Sequence, residues 1–223
     1  VQEAGATPFR ELSLATFAER LGSSDPVPGG GSASAVTGAL GASLVRMVAS
    51  LSAGRPRFAA HETMLVEATA AGARLSDQLL TLADEDAAAF ASFAAALKLP
   101  RDTDAEREQR RHAISGAATL AAQTPLRCVE WCLELVGLAE GLAGRSNPNA
   151  ASDLAVAALL GEAAARGAAA NVLVNVPSME DQELAGALVG RAKELVDEIE
   201  RLAASTRQVV LSGETREPIP AAG

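Results

Sequence analysis

Aromatic residues are scarce in this 223-residue chain: it has no Tyr, one Trp and five Phe, 3% in all. Its apolar share, 48%, is therefore mostly Ala, with Leu and Val. Ala and Leu favour helix, and Ala lets helices approach closely. A β-sandwich of this length would need more aromatic and β-branched residues. The composition points to an all-α protein with enough chain for a real core.

Cations are also in deficit. Nineteen Lys and Arg stand against 28 Asp and Glu, a net charge of −9. Non-specific nucleic-acid binding needs clustered Lys and Arg, so nucleic acid is not an expected partner. Cysteine is limited to Cys128 and Cys132. Four apart on a helix they share a face about 6 Å apart, where a rigid backbone opposes a disulfide. Two small core thiols in a reducing cytosol are the expectation, and no basic-then-apolar leader pattern opens the chain. The two histidines, His61 and His112, have no metal-ligand spacing to the cysteines or to an acidic pair. One segment, Ser32–Ala53, has the length of a membrane span. It is full of Ser, Gly, Ala and Thr and contains Arg46, and an interior Arg opposes insertion by at least ~2.5 kcal/mol. A buried core helix is expected there, with no membrane association.

What remains is helical periodicity with clear punctuation. A short helix follows Ser13 as N-cap and stops at Gly22. A loop, Ser23–Gly31, leads into the second helix, Ser32–Ala53, closed by Gly54 and Pro56. The third runs from near Ala59 to Leu99, with Pro100 as its stop. Its stripe is Leu75, Leu79, Leu82, Asp86, Phe90, Phe93 and Leu97, in steps of three and four. The fourth covers Ala105–Ala143, with a kink expected at Pro125. Asn147-Pro148 reads as an N-cap with Pro first, opening a fifth helix to Val174. A sixth runs from Met179 to Val210, and the last ten residues look frayed. Short loops imply antiparallel neighbours. With no repeat or composition break, residues 1–223 read as one elongated antiparallel helical bundle with long helices. Their overhanging ends make a dimer a natural assembly.

Several positions break these patterns. Asp86 stands where Leu or Phe is expected, and a carboxylate on an apolar face either pairs with an Arg on a neighbouring helix or has its pKa raised in a pocket. Asp84 and Glu85 point elsewhere, into solvent. The run "SNPNAASD", Ser146–Asp153, packs polar residues into one helix start. Asn147 is explained by capping, and Ser152 and Asp153 less well. The helix dipole there favours an ionised Asp153, suited to facing a cation. Asn171 and Asn175 share a face within an Ala and Val helix, where they bridge helices or bond a flat heterocycle. Asp153 and Asn171 share an azimuth but lie about 27 Å apart along the axis. Only a long ligand or a second subunit could join them. "PGGGSAS" is no Walker loop: no Lys-Ser/Thr follows and no strand precedes it. Its glycines leave the N–H groups of the next helix exposed. This is either close packing or a ligand platform.

The ordered set "DPVPGGGSASAVTGALGASLVRMV" (Asp25–Val48), "DEDAAAFASFAAALKLP" (Asp84–Pro100), "TPL" (Thr124–Leu126), "NPNAASDLAVAALL" (Asn147–Leu160) and "GAAANVLVNV" (Gly167–Val176) resembles the cyclodeaminase/cyclohydrolase family. That family comprises the C-terminal domain of formiminotransferase-cyclodeaminase and free-standing methenyltetrahydrofolate cyclohydrolases. One departure is Phe58, where the family often has Tyr. The resemblance implies an all-α homodimer in the cytoplasm acting on a tetrahydrofolate substrate, with or without a polyglutamate tail, and without metal or nicotinamide cofactor. It implies either opening of the 5,10-methenyl bridge by water or cyclisation of 5-formimino-tetrahydrofolate with loss of ammonia. No transferase domain accompanies the chain, which favours the cyclohydrolase. On this reading Asp86 handles protons, Asp153 faces the cationic bridge, and Lys98 binds a carboxylate or steadies the tetrahedral adduct. Pro28, Gly29, Gly30, Gly31, Ser32, Asn171 and Asn175 hold the pterin or the glutamate tail. Asn147 and Ser152 join the substrate-binding set, and Arg55 and Arg57 attract polyglutamate. The rival from another class is a non-catalytic folate-binding or oligomerisation module.

Overall fold

The computed structural model describes residues 7–218. Among them form six α-helices and no strand: α1 (Leu14–Leu21), α2 (Gly30–Ser52), α3 (Glu62–Ala96), α4 (Asp104–Leu142), α5 (Ala151–Asn175) and α6 (Gln182–Ser212). Their starts are written in side chains that accept the free N–H groups of a first turn. Ser13 accepts from the Thr16 amide, and Asp181 from that of Leu184. Thr103 and Glu106 form a complete capping box. The 39 residues of α4 make it roughly 60 Å long.

The helices alternate in direction. Gly30 faces Asn171, and Gly41 faces Ala157, so α2 and α5 are antiparallel. Ser43 bonds Ser76 while Gly54 bonds Glu62, so α2 and α3 are antiparallel too. Pairs Glu85–Arg127 and Arg74–Glu134 set α3 against α4 in the same sense. α2 lies between α3 and α5, and α4 touches α2, α3, α5 and α6. One continuous core results, with Leu65, Leu75, Leu79, Leu135, Leu154 and Ile199 among its largest enclosed side chains. Cys128 and Cys132 lie in it as free thiols. α2 and the segment Pro148–Ser178 are long and apolar enough to cross a bilayer. In this fold α2 is packed against three helices.

Four details depart from the sequence pattern. α2 begins at Gly30, so two glycines assigned to the loop form its first turn. The core stripe of α3 thins after Asp86: Phe90 and Leu97 are exposed, while Phe93 still packs against the core. Pro125 does not interrupt α4. Its missing N–H leaves the Ala121 carbonyl open, and Asn175 Nδ2 on α5 donates to it at 2.8 Å. The chain after α6 is not frayed as far as Glu217. The Arg216 amide donates to Gly144 O at 3.0 Å, and its guanidinium to Glu140 Oε1 at 2.8 Å. Residues 219–223 of that expected tail lie outside the described residues.

Small residues let α2 sit this close to its neighbours. A methyl at Gly72 would lie 2.9 Å from the Ala42 carbonyl oxygen and from the Arg46 amide nitrogen. Both are backbone atoms, so a helix would have to move. Gly116 on α4 has nothing within 4 Å of the same position. Gly72→Ala should therefore destabilise by ~1–3 kcal/mol despite its gain in helix propensity. Gly116→Ala should stabilise by up to ~1 kcal/mol. Urea unfolding of both variants checks the opposite signs.

Candidate functional site

Asp86 stands on α3 where that helix passes the first turn of α2. The carboxylate lies against the α-carbon of Gly31: a Cβ there would be 2.2 Å from Asp86 Oδ1. Only glycine permits the approach. Ser32, fully buried, places its hydroxyl 3.0 Å from Asp86 Oδ2 and 3.0 Å from the Ala83 carbonyl. No ion pair involves Asp86 among the described residues, so the Arg partner considered from sequence is replaced by a hydroxyl and a helix N-terminus. Burial pushes the Asp86 pKa up, while the Ser32 hydroxyl and backbone N–H draw it partly back.

The first backbone bond of α2 runs from the Ala33 amide to Gly29 O at 2.9 Å. The N–H groups of Gly30 and Gly31 precede it and have no carbonyl partner inside the helix. Gly30 and Gly31 line, with Asp86, a cavity of about 360 Å³. Phe90 and Phe93, one and two turns beyond Asp86, form an apolar wall. Asn171 and Asn175 of α5 close the far side. Their side-chain nitrogens are tied down: Asn171 Nδ2 to Gly167 O at 2.8 Å, and Asn175 Nδ2 to Ala121 O at 2.8 Å and Asn171 O at 2.9 Å. The site thus offers one carboxylate, free backbone donors, amide acceptors and a flat apolar surface.

The sequence-derived residues separate into groups. Gly29, Gly30, Gly31, Ser32, Asp86, Asn171 and Asn175 converge on this cavity. Pro28 is buried just behind it, after a cis Val27–Pro28 bond. Lys98 is exposed beyond the end of α3, twelve residues or roughly 18 Å along the helix from Asp86. The others lie at the opposite end of the bundle, because α2 leads there. Ser52 Oγ accepts from the Asn147 amide at 2.8 Å, twenty residues or roughly 30 Å from Ser32. There Arg57, His61, Arg145 and Asn147 line a smaller cavity of about 140 Å³. Asn147 Oδ1 accepts from the Asn149 amide at 3.1 Å, an ordinary cap. Arg55 and Ser152 are exposed, and Asp153 is half-buried in the first turn of α5. Within one subunit Asp153, Arg55, Arg57, Asn147 and Ser152 therefore do not meet Asp86. Asp84, read from sequence as a solvated neighbour, accepts from the Phe9 amide at 2.8 Å and ties the N-terminal segment to α3. Glu85, read the same way, pairs with Arg127.

Phe90 and Phe93 were legible only as core stripe residues. The available signal was their sharing a face with Asp86, which places two of the five phenylalanines beside the misplaced carboxylate. No group of three His, Cys, Asp or Glu side chains that could hold a metal forms among the described residues.

Burial of Asp86 has a thermodynamic consequence. Its pKa in the fold lies above the unfolded value, near 4. Well below pH 4 both states are protonated and the residue is neutral to stability. As pH rises through the window up to its raised pKa, the unfolded chain loses the proton first and the fold is penalised. Above that window the penalty is complete. Asp86→Asn should raise the melting temperature at pH 7, with the advantage shrinking toward pH 3. Melting curves across that range test the sign.

Comparison with known proteins places this geometry in context. The family pattern described as formiminotransferase-cyclodeaminase matches residues 13–194. A methenyltetrahydrofolate cyclohydrolase of Methylorubrum extorquens is 38% identical over 173 residues, covering 78% of this chain and 83% of that protein. A formimidoyltransferase-cyclodeaminase of Rattus norvegicus is 36% identical over 171 residues, 77% of this chain. The matched region spans 32% of the rat enzyme's length. The crystal structure of a formiminotetrahydrofolate cyclodeaminase from Thermotoga maritima superposes with a TM-score of 0.82 at 26% identity, covering 91% of this chain and 98% of that one.

Proposed function

The chain belongs to the formiminotransferase-cyclodeaminase family, and we propose that it hydrolyses 5,10-methenyltetrahydrofolate to 10-formyltetrahydrofolate. One observation carries this reading. A half-buried carboxylate, Asp86, lies at the open N-terminus of α2 beside an aromatic wall and two fixed amides. The methenyl bridge is a delocalised cation, and a fixed, partly desolvated carboxylate stabilises its approach. Phe90 and Phe93 supply a surface for the flat ring. Relatives named cyclohydrolase and cyclodeaminase support the substrate class.

The chemistry follows from the same groups. Water adds to the bridge carbon, and Asp86 accepts its proton. Burial lifts the Asp86 pKa toward the working pH of a general base. The tetrahedral adduct is neutral and carries a hydroxyl, whose oxygen we assign to the backbone N–H groups of Gly30 and Gly31 at the start of α2. Collapse of the adduct passes the proton held by Asp86 to N5 and breaks the C–N5 bond, while the adduct hydroxyl gives up its own proton to solvent as the carbonyl forms. One proton is released overall as the cationic bridge becomes a neutral formamide. The formyl group stays on N10. Water adds and a ring nitrogen departs, so the reaction is redox-neutral and calls on no nicotinamide.

Deamination of 5-formimino-tetrahydrofolate is the second reading, favoured by the name of the structurally similar Thermotoga protein. There N10 attacks the formimino carbon and ammonia leaves, with Asp86 again moving the protons. The buried, free thiols Cys128 and Cys132 suit a reducing cytoplasm.

We further propose a homodimer. Leu40, Met47 and Leu51 on α2 and Val156 and Leu159 on α5 are each 38–49% exposed, on helices that pack together. A second copy would cover this apolar surface. It is also the arrangement in which Asp153, Lys98 or the Arg55 and Arg57 end could reach a substrate, polyglutamylated or not, held at Asp86. Sedimentation should give twice the 22.6 kDa of one chain; a monomer at micromolar concentration ends the dimer proposal.

The decisive assay offers 5,10-methenyltetrahydrofolate to purified protein and follows loss of its chromophore against the uncatalysed rate. A parallel reaction measures ammonia from the formimino substrate. Asp86→Asn should lower turnover at least ~100-fold with helix content unchanged. Gly31→Ala should also abolish turnover, because its methyl occupies the place of the carboxylate. Near-normal turnover by Asp86→Asn would remove this residue from the mechanism. Faster ammonia release than methenyl hydrolysis would reverse the order of the two reactions.

A further inference from the structure

The amide of Asn175 is held by an unusual partner. In an unbroken helix the Ala121 carbonyl accepts from the N–H four residues on. Position 125 is Pro, which has no N–H and whose ring presses on that same carbonyl. Asn175 Nδ2, reaching from α5, donates to it at 2.8 Å. Its second N–H goes to Asn171 O at 2.9 Å. Both acceptors are carbonyl oxygens, so the nitrogen must face them and the side-chain oxygen must face away. Ala121 and Asn175 both border the Asp86 cavity.

We propose that Pro125 and Asn175 form a cross-helix lock that presents Asn175 Oδ1 to the cavity as a fixed hydrogen-bond acceptor. Pro125 is then a positioning residue for specificity, although it touches no substrate. With both N–H groups committed, Asn175 can only accept, so the wall it forms selects a ring edge that donates. The pyrimidine edge of a pterin, with its ring N–H and exocyclic amino group, is such an edge. A ring with acceptors along that edge would face oxygen against oxygen and be rejected. This inference rests on the cavity being the pterin site and adds how the ring would be recognised there.

Two measurements test it. Pro125→Ala returns an N–H to the Ala121 carbonyl and frees Asn175 to rotate. The KM for 5,10-methenyltetrahydrofolate should rise ~5-fold or more while kcat stays within about two-fold, because uniform binding is what is lost. The melting temperature should hold or rise, as the helix regains a bond. A merely structural proline would leave KM unchanged, and that result overturns the orienting role. The second measurement is an unfolding cycle of Pro125→Ala, Asn175→Leu and the double variant, without substrate. Asn175→Leu should lower the melting temperature by stripping a buried carbonyl of its donor. Adding Pro125→Ala should recover most of that loss. Additive changes would overturn the lock. If the parent protein showed no folate turnover while the cycle remained coupled, the proposed function would fall and the lock would stand.

Discussion

The contact between Asp86 and the first turn of α2 governs how this molecule is built. A carboxylate partly withdrawn from water must be compensated, and among the described residues no cation pairs with it. The compensation comes from the Ser32 hydroxyl and from the N-terminus of a helix. Both are available only because residue 31 has no side chain, since a Cβ there would overlap the carboxylate at 2.2 Å. The triple glycine and the misplaced aspartate are therefore one feature, made by two segments more than fifty residues apart. Glycine at a helix start is an ordinary economy of space. Here it also leaves backbone donors open beside a carboxylate, the pairing on which the proposed hydrolysis rests.

The same logic of small residues runs down α2. It meets α3, α4 and α5 along a face of Ser, Ala, Gly and Val. Close approach makes the register of the bundle strict, because no long side chain can flex to absorb an error. That register sets Ser32 against Asp86 at one end and Ser52 against Asn147 at the other. The polar residues clustered in sequence around Asn147 are thereby carried roughly 30 Å from those around Asp86. A site using both ends would have to be completed by another copy.

α5 contributes the opposing wall, and its two asparagines show how polar groups inside a helical bundle serve more than one purpose. Each ties a nitrogen to a backbone carbonyl on its own helix or a neighbour. In Asn175 the tie answers a vacancy that Pro125 creates on α4. An amide so committed is rigid, and rigidity is what a recognition surface needs. Phe90 and Phe93 belong to the same economy: Phe93 still packs against the core while Phe90 is exposed, and together they become the wall of a cavity.

The helices, their caps and their antiparallel order were legible in the sequence, because those depend on neighbours three or four residues away. Ser13, read as a cap, meets its own first turn; Thr103 with Glu106, and Asp181, obey the same local rule but were not read as caps, and α6, expected from Met179, begins at Gln182. Asp86 was legible as an anomaly, since a charge in an apolar stripe breaks a local rule. Local rules could not say what answers it, whether an Arg or a hydroxyl. Nor could they say that Phe90 leaves the core, that Asn175 serves Ala121, or that Asp153 lies far from Asp86. Those facts are distances between helices, and distance is set by the packing of whole faces against one another. By itself the sequence determined which residues are helical and which are out of place; only the tertiary structure decided which of the misplaced ones meet.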